Sequence, residues 1–197
     1  YHVVEGYAEV GIQFHPTAYD NLVDSKLPVH FGSVIILDEI KDLAAIKLND
    51  EMPETINLRS AQISTHFETT LKVGEDVHAI GHPFGEDWTY TRGYISQIRK
   101  KYGWNSGAIK HHVADVIQTQ TPINVGNSGG PLYDFIGQVF GVTTFGKAEP
   151  GAEGVNFAIG VREVIDFLSK FETRKSPAIS KDLALNLVGT QDENKNG

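Results

Sequence analysis

The sequence has 197 residues, of which 40% are hydrophobic and 21% charged, and its formal net charge is −8. This length suits one large domain or two small ones, and the composition is typical of a globular protein. The acidic balance argues against a nucleic-acid surface, no apolar stretch is long enough to span a membrane, and the lack of cysteine excludes disulfides, thiol catalysis and thiolate metal sites.

Short segments rich in β-forming residues dominate the first 160 positions, and Gly, Pro, Asn and Asp separate them. They cover residues 8–14, 33–38, 43–48, 76–83, 89–99, 114–121, 138–146 and 155–160. Many short strands punctuated in this way favour an all-β barrel or sandwich over alternating strands and helices.

One amphipathic helix is predicted after the last strand. Its apolar stripe, at i, i+3, i+4, i+7 and i+10, consists of Val161, Val164, Ile165, Leu168 and Phe171. Such a stripe is expected to dock on the barrel. The mostly polar segment 172–197 is predicted to be a linker or tail.

The segment "GNSGGP" places Ser128 in a glycine-rich turn. Flanking glycines allow backbone angles that a side chain would forbid and let another chain approach closely. Such a turn can present the serine hydroxyl at a cleft, and it can also direct the N–H groups of Gly126, Asn127 and Ser128 towards one point, as an oxyanion hole does. The alternative is a glycine-rich hairpin whose serine only caps the turn.

A serine nucleophile needs a general base, and the sequence contains eight histidines. His2 lies in a segment predicted as a small apolar strand end, whereas His111 and His112 lie in a polar stretch before a strand. His78 and His82 would share one face of a strand, but no third zinc ligand is apparent, so we interpret them as solvated or hydrogen-bonded side chains. Residue physics alone does not select the base.

The acid that orients such a base is equally open at this stage. Asp42 opens the apolar segment "LAAIKL", where its carboxylate would be half-buried and hydrogen-bonded. An acidic residue at the edge of a strand is the alternative interpretation.

Six motifs together resemble the trypsin-like serine peptidases of the HtrA/Deg type. In chain order they are "YHVV", "DLAAIKL", "AIGHPFG" with "TYTRGYISQI", "QTQTPINVGNSGGPL", "VFGVTTFG" and "GVNFAIGV". The resemblance covers residues 1 to about 171 and implies a chymotrypsin-like double β-barrel with a catalytic triad in the order His, Asp, Ser. Matched motif to motif, the triad is His2, Asp42 and Ser128.

The resemblance also implies a division of the chain. Residues 1–88 are expected to form a first barrel, incomplete because the catalytic histidine of the family follows opening strands that are not in this sequence. Residues 89–171 are expected to form the second barrel with the C-terminal helix. We therefore expect the sequence to be a fragment of a longer protein.

The implied reaction is hydrolysis of peptide bonds in extended or unfolded polypeptides through an acyl-enzyme, without a metal or cofactor. The N–H groups of Gly126 and Ser128 would hold the oxyanion, and Asn127 would shape the turn between them. The implied substrate-binding residues are Ile123, Val125, Thr143, Thr144, Phe145, Gly146 and Val155. Pro122 stands six residues before the serine, where trypsin has an aspartate, so small to medium hydrophobic side chains are expected before the scissile bond.

Two departures from the family pattern are Val125, which replaces a proline, and His82, which replaces an asparagine. A catalytically idle peptidase-like domain that only binds peptides is the alternative function. An α/β-hydrolase is disfavoured because it needs G-x-S-x-G on a strand-to-helix turn. By resemblance alone we expect a cell-envelope or secreted location and a homo-oligomer formed through segments outside this sequence.

Overall fold

The structure is a computed structural model that describes residues 1–18, 27–49, 56, 58–64, 72–106, 110–147 and 154–174, without the side chains of 171–174. The elements, in chain order, are β1 (Glu9–Ile12), β2 (His30–Asp38), β3 (Leu43–Leu48), β4 (Asp76–Gly81), β5 (Thr89–Ser106), β6 (Lys110–Thr119), β7 (Pro131–Tyr133), β8 (Val139–Gly146), β9 (Asn156–Gly160) and α1 (Val161–Arg174). The fold is all-β with a helix at its end, as predicted.

The strands form two sheets. Strands β1, β2 and β3 make a three-stranded antiparallel sheet, and the other six close a barrel in the order β4-β5-β6-β9-β8-β7. Strand β4 belongs to this barrel although it precedes the boundary predicted between residues 88 and 89. The domain limits stay a prediction.

Alternating burial explains why these segments are strands. In β6 the side chains of His112, Ala114 and Val116 are buried at every second position, and Ile117 and Thr119 on the other face are buried as well, so both faces of this strand are covered towards its end. The interior cluster consists of Val77, Ala79, Ile95, Ile117, Leu132, Phe140, Ala158 and Val161. The helix begins at the last of these and packs its apolar face on the barrel.

A second apolar cluster joins the three-stranded sheet to the barrel. Leu43 of β3 packs there with Trp104, Phe157 and Phe167, all of which are less than a tenth exposed. Since Asp42 directly precedes Leu43, this packing fixes the start of β3 against the barrel.

Four details differ from the sequence prediction. Residues 2–6 form turns and not a strand end, with the Val4 N–H donating to the Tyr1 carbonyl at 2.9 Å. Strand β7, of three residues, was not predicted. The helix continues to Arg174, into the predicted tail, while residues 175–197 lie outside the described residues. His111 and His112 lie within β6 and not before it.

None of the helices in the described part of the chain is long and apolar enough to cross a membrane.

Candidate active site

The turn before Ser128 requires glycine at position 126. The backbone of Gly126 has φ = +102°, and a Cβ there would overlap the carbonyl oxygen of His82. The His82 N–H donates to the Gly126 carbonyl at 3.2 Å, and the Phe84 N–H donates to the Val125 carbonyl at 2.9 Å. These bonds therefore fix the turn against the segment that follows β4. The turn forms although Val125 stands where the family pattern has a proline.

The three N–H groups of the turn differ in their partners. The Asn127 N–H donates to the Asn124 carbonyl at 2.9 Å, and the Asn127 side-chain amide donates to the Pro122 carbonyl at 3.2 Å. The N–H groups of Gly126 and Ser128 have no acceptor among the described residues. Two backbone donors thus remain available beside the serine.

The hydroxyl of Ser128 donates to the carbonyl of Thr144 in β8 at 2.8 Å. Among the described residues, none of its hydrogen bonds reaches His2. The serine nevertheless lines one cavity of about 490 Å³ together with His2, Asp42 and Gly129.

Asp42 is a buried charged group of this cavity, with 5% of its surface exposed. It occupies the turn between β2 and β3 in the left-handed region, with φ = +57°. One carboxylate oxygen, Oδ2, lies 2.7 Å from Nδ1 of His2 and accepts a hydrogen bond of 2.6 Å from the Thr144 hydroxyl. The other, Oδ1, accepts the His2 backbone N–H at 2.8 Å.

These contacts determine the charge of Asp42. Burial by itself would raise the pKa of the carboxyl, but the hydrogen bonds from the His2 ring, the Thr144 hydroxyl and the His2 N–H outweigh it and hold the pKa well below its usual range. Because an ionised carboxylate only accepts hydrogen bonds, Nδ1 of His2 carries the proton. Nε2 of the neutral ring is then the basic nitrogen, on a side chain that is 33% exposed.

Ser128 also lines a second cavity, of about 680 Å³. Five of the seven predicted substrate-binding residues line it, namely Ile123, Val125, Thr144, Phe145 and Gly146. Thr143 lies outside this lining, and its hydroxyl donates to the Asn127 carbonyl and, at 3.1 Å, to the Gly130 carbonyl. Val155 packs against the cluster around Trp104.

Sequence reasoning missed two features of the site. It assigned Thr144 to substrate binding alone, whereas the buried Thr144 hydroxyl bonds Asp42. It also missed Phe84, Lys147 and Asn156, which line the second cavity. Lys147 and Asn156 directly follow the predicted residues Gly146 and Val155, whereas Phe84 reaches the cavity from the segment after β4 and no local pattern marks it.

Within the described residues, no group of three or more His, Asp or Glu side chains is arranged to hold a metal ion.

A β-barrel whose serine, imidazole and buried carboxylate surround one cavity, next to a turn with two available N–H donors, has the arrangement of a trypsin-like serine peptidase. The comparisons with known proteins agree, because the trypsin-like peptidase domain family matches residues 1–142. The chain belongs to this family, and within it to the HtrA/Do type.

The assignment to the HtrA/Do type is based on similar proteins of that type. The chain is 36% identical over 175 residues to protease Do-like 1, chloroplastic, of Arabidopsis thaliana, covering 87% of this chain and 36% of the relative. It is 33% identical over 167 residues to serine protease Do-like HtrA of Bacillus subtilis, covering 83% and 33%. The HtrA-type protease AlgW, solved with a decapeptide, matches with a TM-score of 0.66 and 26% identity over 86% of this chain and 46% of AlgW. The chain thus spans between a third and a half of the length of these proteins.

Proposed function

We propose that this chain carries the catalytic centre of a serine endopeptidase that hydrolyses extended or unfolded polypeptides, with Ser128 as nucleophile, His2 as general base and Asp42 as the acid that orients His2. One observation carries the proposal: the buried Asp42 carboxylate contacts Nδ1 of His2 at 2.7 Å, on the cavity that Ser128 also lines. This contact places the proton on Nδ1 and leaves Nε2 as the ring nitrogen that can accept the proton of the serine.

The first step is acyl transfer to the serine. The Ser128 hydroxyl leaves the Thr144 carbonyl by rotation about χ1, which for side chains is fast compared with turnover. Nε2 of His2 takes its proton while Oγ attacks the peptide carbonyl carbon, and the N–H groups of Gly126 and Ser128 receive the oxyanion. His2 then protonates the leaving amine as the C–N bond breaks.

The second step releases the acid product. Water replaces the amine, His2 takes one of its protons, and the hydroxide attacks the acyl carbon. Collapse of this intermediate breaks the bond to Oγ, which recovers the proton from His2. In both steps Asp42 stays ionised and stabilises the protonated imidazole.

The edge of β8 is suited to receive an extended peptide. Strand β7 pairs with β8 only as far as Val142, and the following residues Thr144, Phe145 and Gly146 line the second cavity. A peptide that adds to this edge as a further strand would place one side chain in that cavity. Its main chain would also compete for the Thr144 carbonyl and so release the Ser128 hydroxyl towards His2.

The second cavity favours an uncharged side chain before the scissile bond. Pro122 and Ile123 form part of its wall, and no described lining residue is acidic, while Lys147 adds a positive charge. Arg and Lys side chains would therefore find no carboxylate partner among the described residues. We expect substrates to carry a small to medium hydrophobic side chain directly before the scissile bond. AlgW, with its bound decapeptide, is a relative with a ligand of the same chemical class.

A fluorophosphonate probe tests the proposal, because it labels only an activated serine. The full chain should be labelled at Ser128 and should cleave casein, whereas Ser128→Ala and His2→Ala should do neither. Ser169→Ala is the matched control, since that serine lines neither cavity. Casein cleavage by Ser128→Ala would refute the assignment. A folded wild-type chain that binds peptide without labelling would favour the idle binding module.

A further inference from the structure

His112 is a fully buried histidine outside the catalytic cavity. Its exposed fraction is 0%, and its ring stacks on Trp104 with the centroids 5.2 Å apart. Nδ1 lies 2.6 Å from the carbonyl oxygen of Glu39, and Nε2 lies 2.6 Å from the hydroxyl of Ser106. Because a carbonyl only accepts, Nδ1 carries the hydrogen, and Nε2 of the neutral ring accepts from Ser106.

The Glu39 carbonyl belongs to the turn that presents Asp42. Strand β6 holds this turn twice, through the His112 ring and through the Val113 N–H, which donates to the Ile40 carbonyl at 2.8 Å. Lys41 in the same turn pairs with Glu163 of α1. His112 is thus one of several ties between the turn and the rest of the fold, which also include the bond from the Tyr1 nitrogen to the Asp42 carbonyl at 3.0 Å.

Such ties matter because the backbone of Asp42 is strained. A non-glycine residue in the left-handed region is disfavoured, and it persists where the surrounding structure determines it. Without the bond to Glu39, the turn can relax and move the carboxylate away from His2.

We infer that His112 is a positioning residue for the proposed reaction: through the Glu39 carbonyl it holds the turn in which Asp42 reaches Nδ1 of His2. The inference rests on the proposed function. Misplacement of a catalytic group by about 1 Å can cost about 100-fold in rate. The effect is expected in kcat, because His112 lines neither cavity.

Two amide substitutions separate the two nitrogens of the ring. His112→Asn keeps an N–H donor near the Nδ1 position, facing Glu39, whereas His112→Gln places its amide near the Nε2 position, facing Ser106. We expect His112→Gln to lower kcat between about 10- and 100-fold with little change in KM. His112→Asn and the control Ser106→Ala should stay within a few-fold of wild type.

A spectroscopic readout distinguishes this inference from the proposed function. The proton shared by His2 and Asp42 should give a low-field proton NMR signal in the wild type and in His112→Asn, and the signal should be lost in His112→Gln. This signal can be recorded without turnover. An inactive wild-type chain that the probe does not label would refute the proposed function, and the NMR signal would still test the positioning role of His112.

Three results would overturn the inference. One is a His112→Gln protein with the wild-type kcat and NMR signal. Another result is an equal fall of kcat in His112→Asn and His112→Gln, in proportion to the stability that each variant loses. A merely structural role of His112 would produce this result. The third result applies if His112→Gln does not fold. In that case, a folded His112→Asn protein without the NMR signal would overturn the inference.

Discussion

The hydroxyl of Thr144 should stabilise the folded protein mainly through the charge of Asp42. Thr144→Val replaces this hydroxyl by a methyl group of similar size at a position that is 3% exposed, so packing changes little. The lost hydrogen bond, 2.6 Å long, goes to an ionised carboxylate. Hydrogen bonds to charged groups contribute about 1.5–3 kcal/mol. At 1.36 kcal/mol for each pKa unit, the pKa of Asp42 should rise by about 1–2 units.

Urea unfolding at several pH values measures this effect. The folded-state pKa of Asp42 lies below its unfolded value, so its ionisation stabilises the fold above the ordinary carboxyl pKa of about 3.9, and this stability is lost as the pH falls. At pH 7, Thr144→Val should therefore lower the free energy of unfolding by about 2 kcal/mol. The difference should stay constant at higher pH and shrink only as the pH falls through the folded-state pKa of the variant, because its carboxyl is protonated before that of the wild type.

Thr144→Ser is the matched control, because it keeps the hydroxyl and removes only a methyl group. It should retain most of the pH-dependent stability, while its loss of packing should not vary with pH. In the peptidase assay, Thr144→Val should have a lower kcat than Thr144→Ser, since only the former leaves Asp42 without this bond. A pH-independent difference between Thr144→Val and wild type would refute the argument from charge.

Three further predictions concern the turn, the acid and the substrate. Gly126→Ala should destabilise the protein in urea and abolish probe labelling, because its Cβ would displace the His82 carbonyl; unchanged labelling would contradict the described turn. Asp42→Asn should lower kcat about 10⁴-fold in steady-state kinetics, since the wrong nitrogen of His2 would carry the proton. A peptide library should be cleaved after small to medium hydrophobic side chains, and a preference for Arg or Lys would refute the assignment of the cavity beside Pro122.

Local patterns predicted much of the fold, because strands and helices bury side chains with fixed periods. The eight predicted strand segments all overlap observed strands, and the apolar stripe from Val161 coincides with α1. The importance of Ser128 was also visible locally, since glycines on both sides indicate unusual backbone angles. Strand β7 was missed because three residues carry too little alternation to be recognised.

The contacts that assemble the site were not predictable in this way, because they join distant parts of the chain. The Thr144 hydroxyl and Asp42 are separated by 102 positions, and His112 and Glu39 by 73. His112 lies in a polar stretch of the sequence, yet its ring is buried, and the Glu39 carbonyl and the Ser106 hydroxyl satisfy both of its nitrogens. Only the family resemblance selected His2 among the histidines.

The nucleophile turn and the acid turn deal with left-handed backbone in different ways. Gly126 adopts a positive φ without the steric cost of a Cβ, and backbone hydrogen bonds from His82 and Phe84 hold its turn. Asp42 must keep its side chain, so its conformation costs about 1–2 kcal/mol that other contacts have to offset. Three hydrogen bonds to its carboxylate, and the ties from β6 and α1 to its turn, meet at this position. Activity should therefore be sensitive to substitutions at a greater distance from Asp42 than from Ser128.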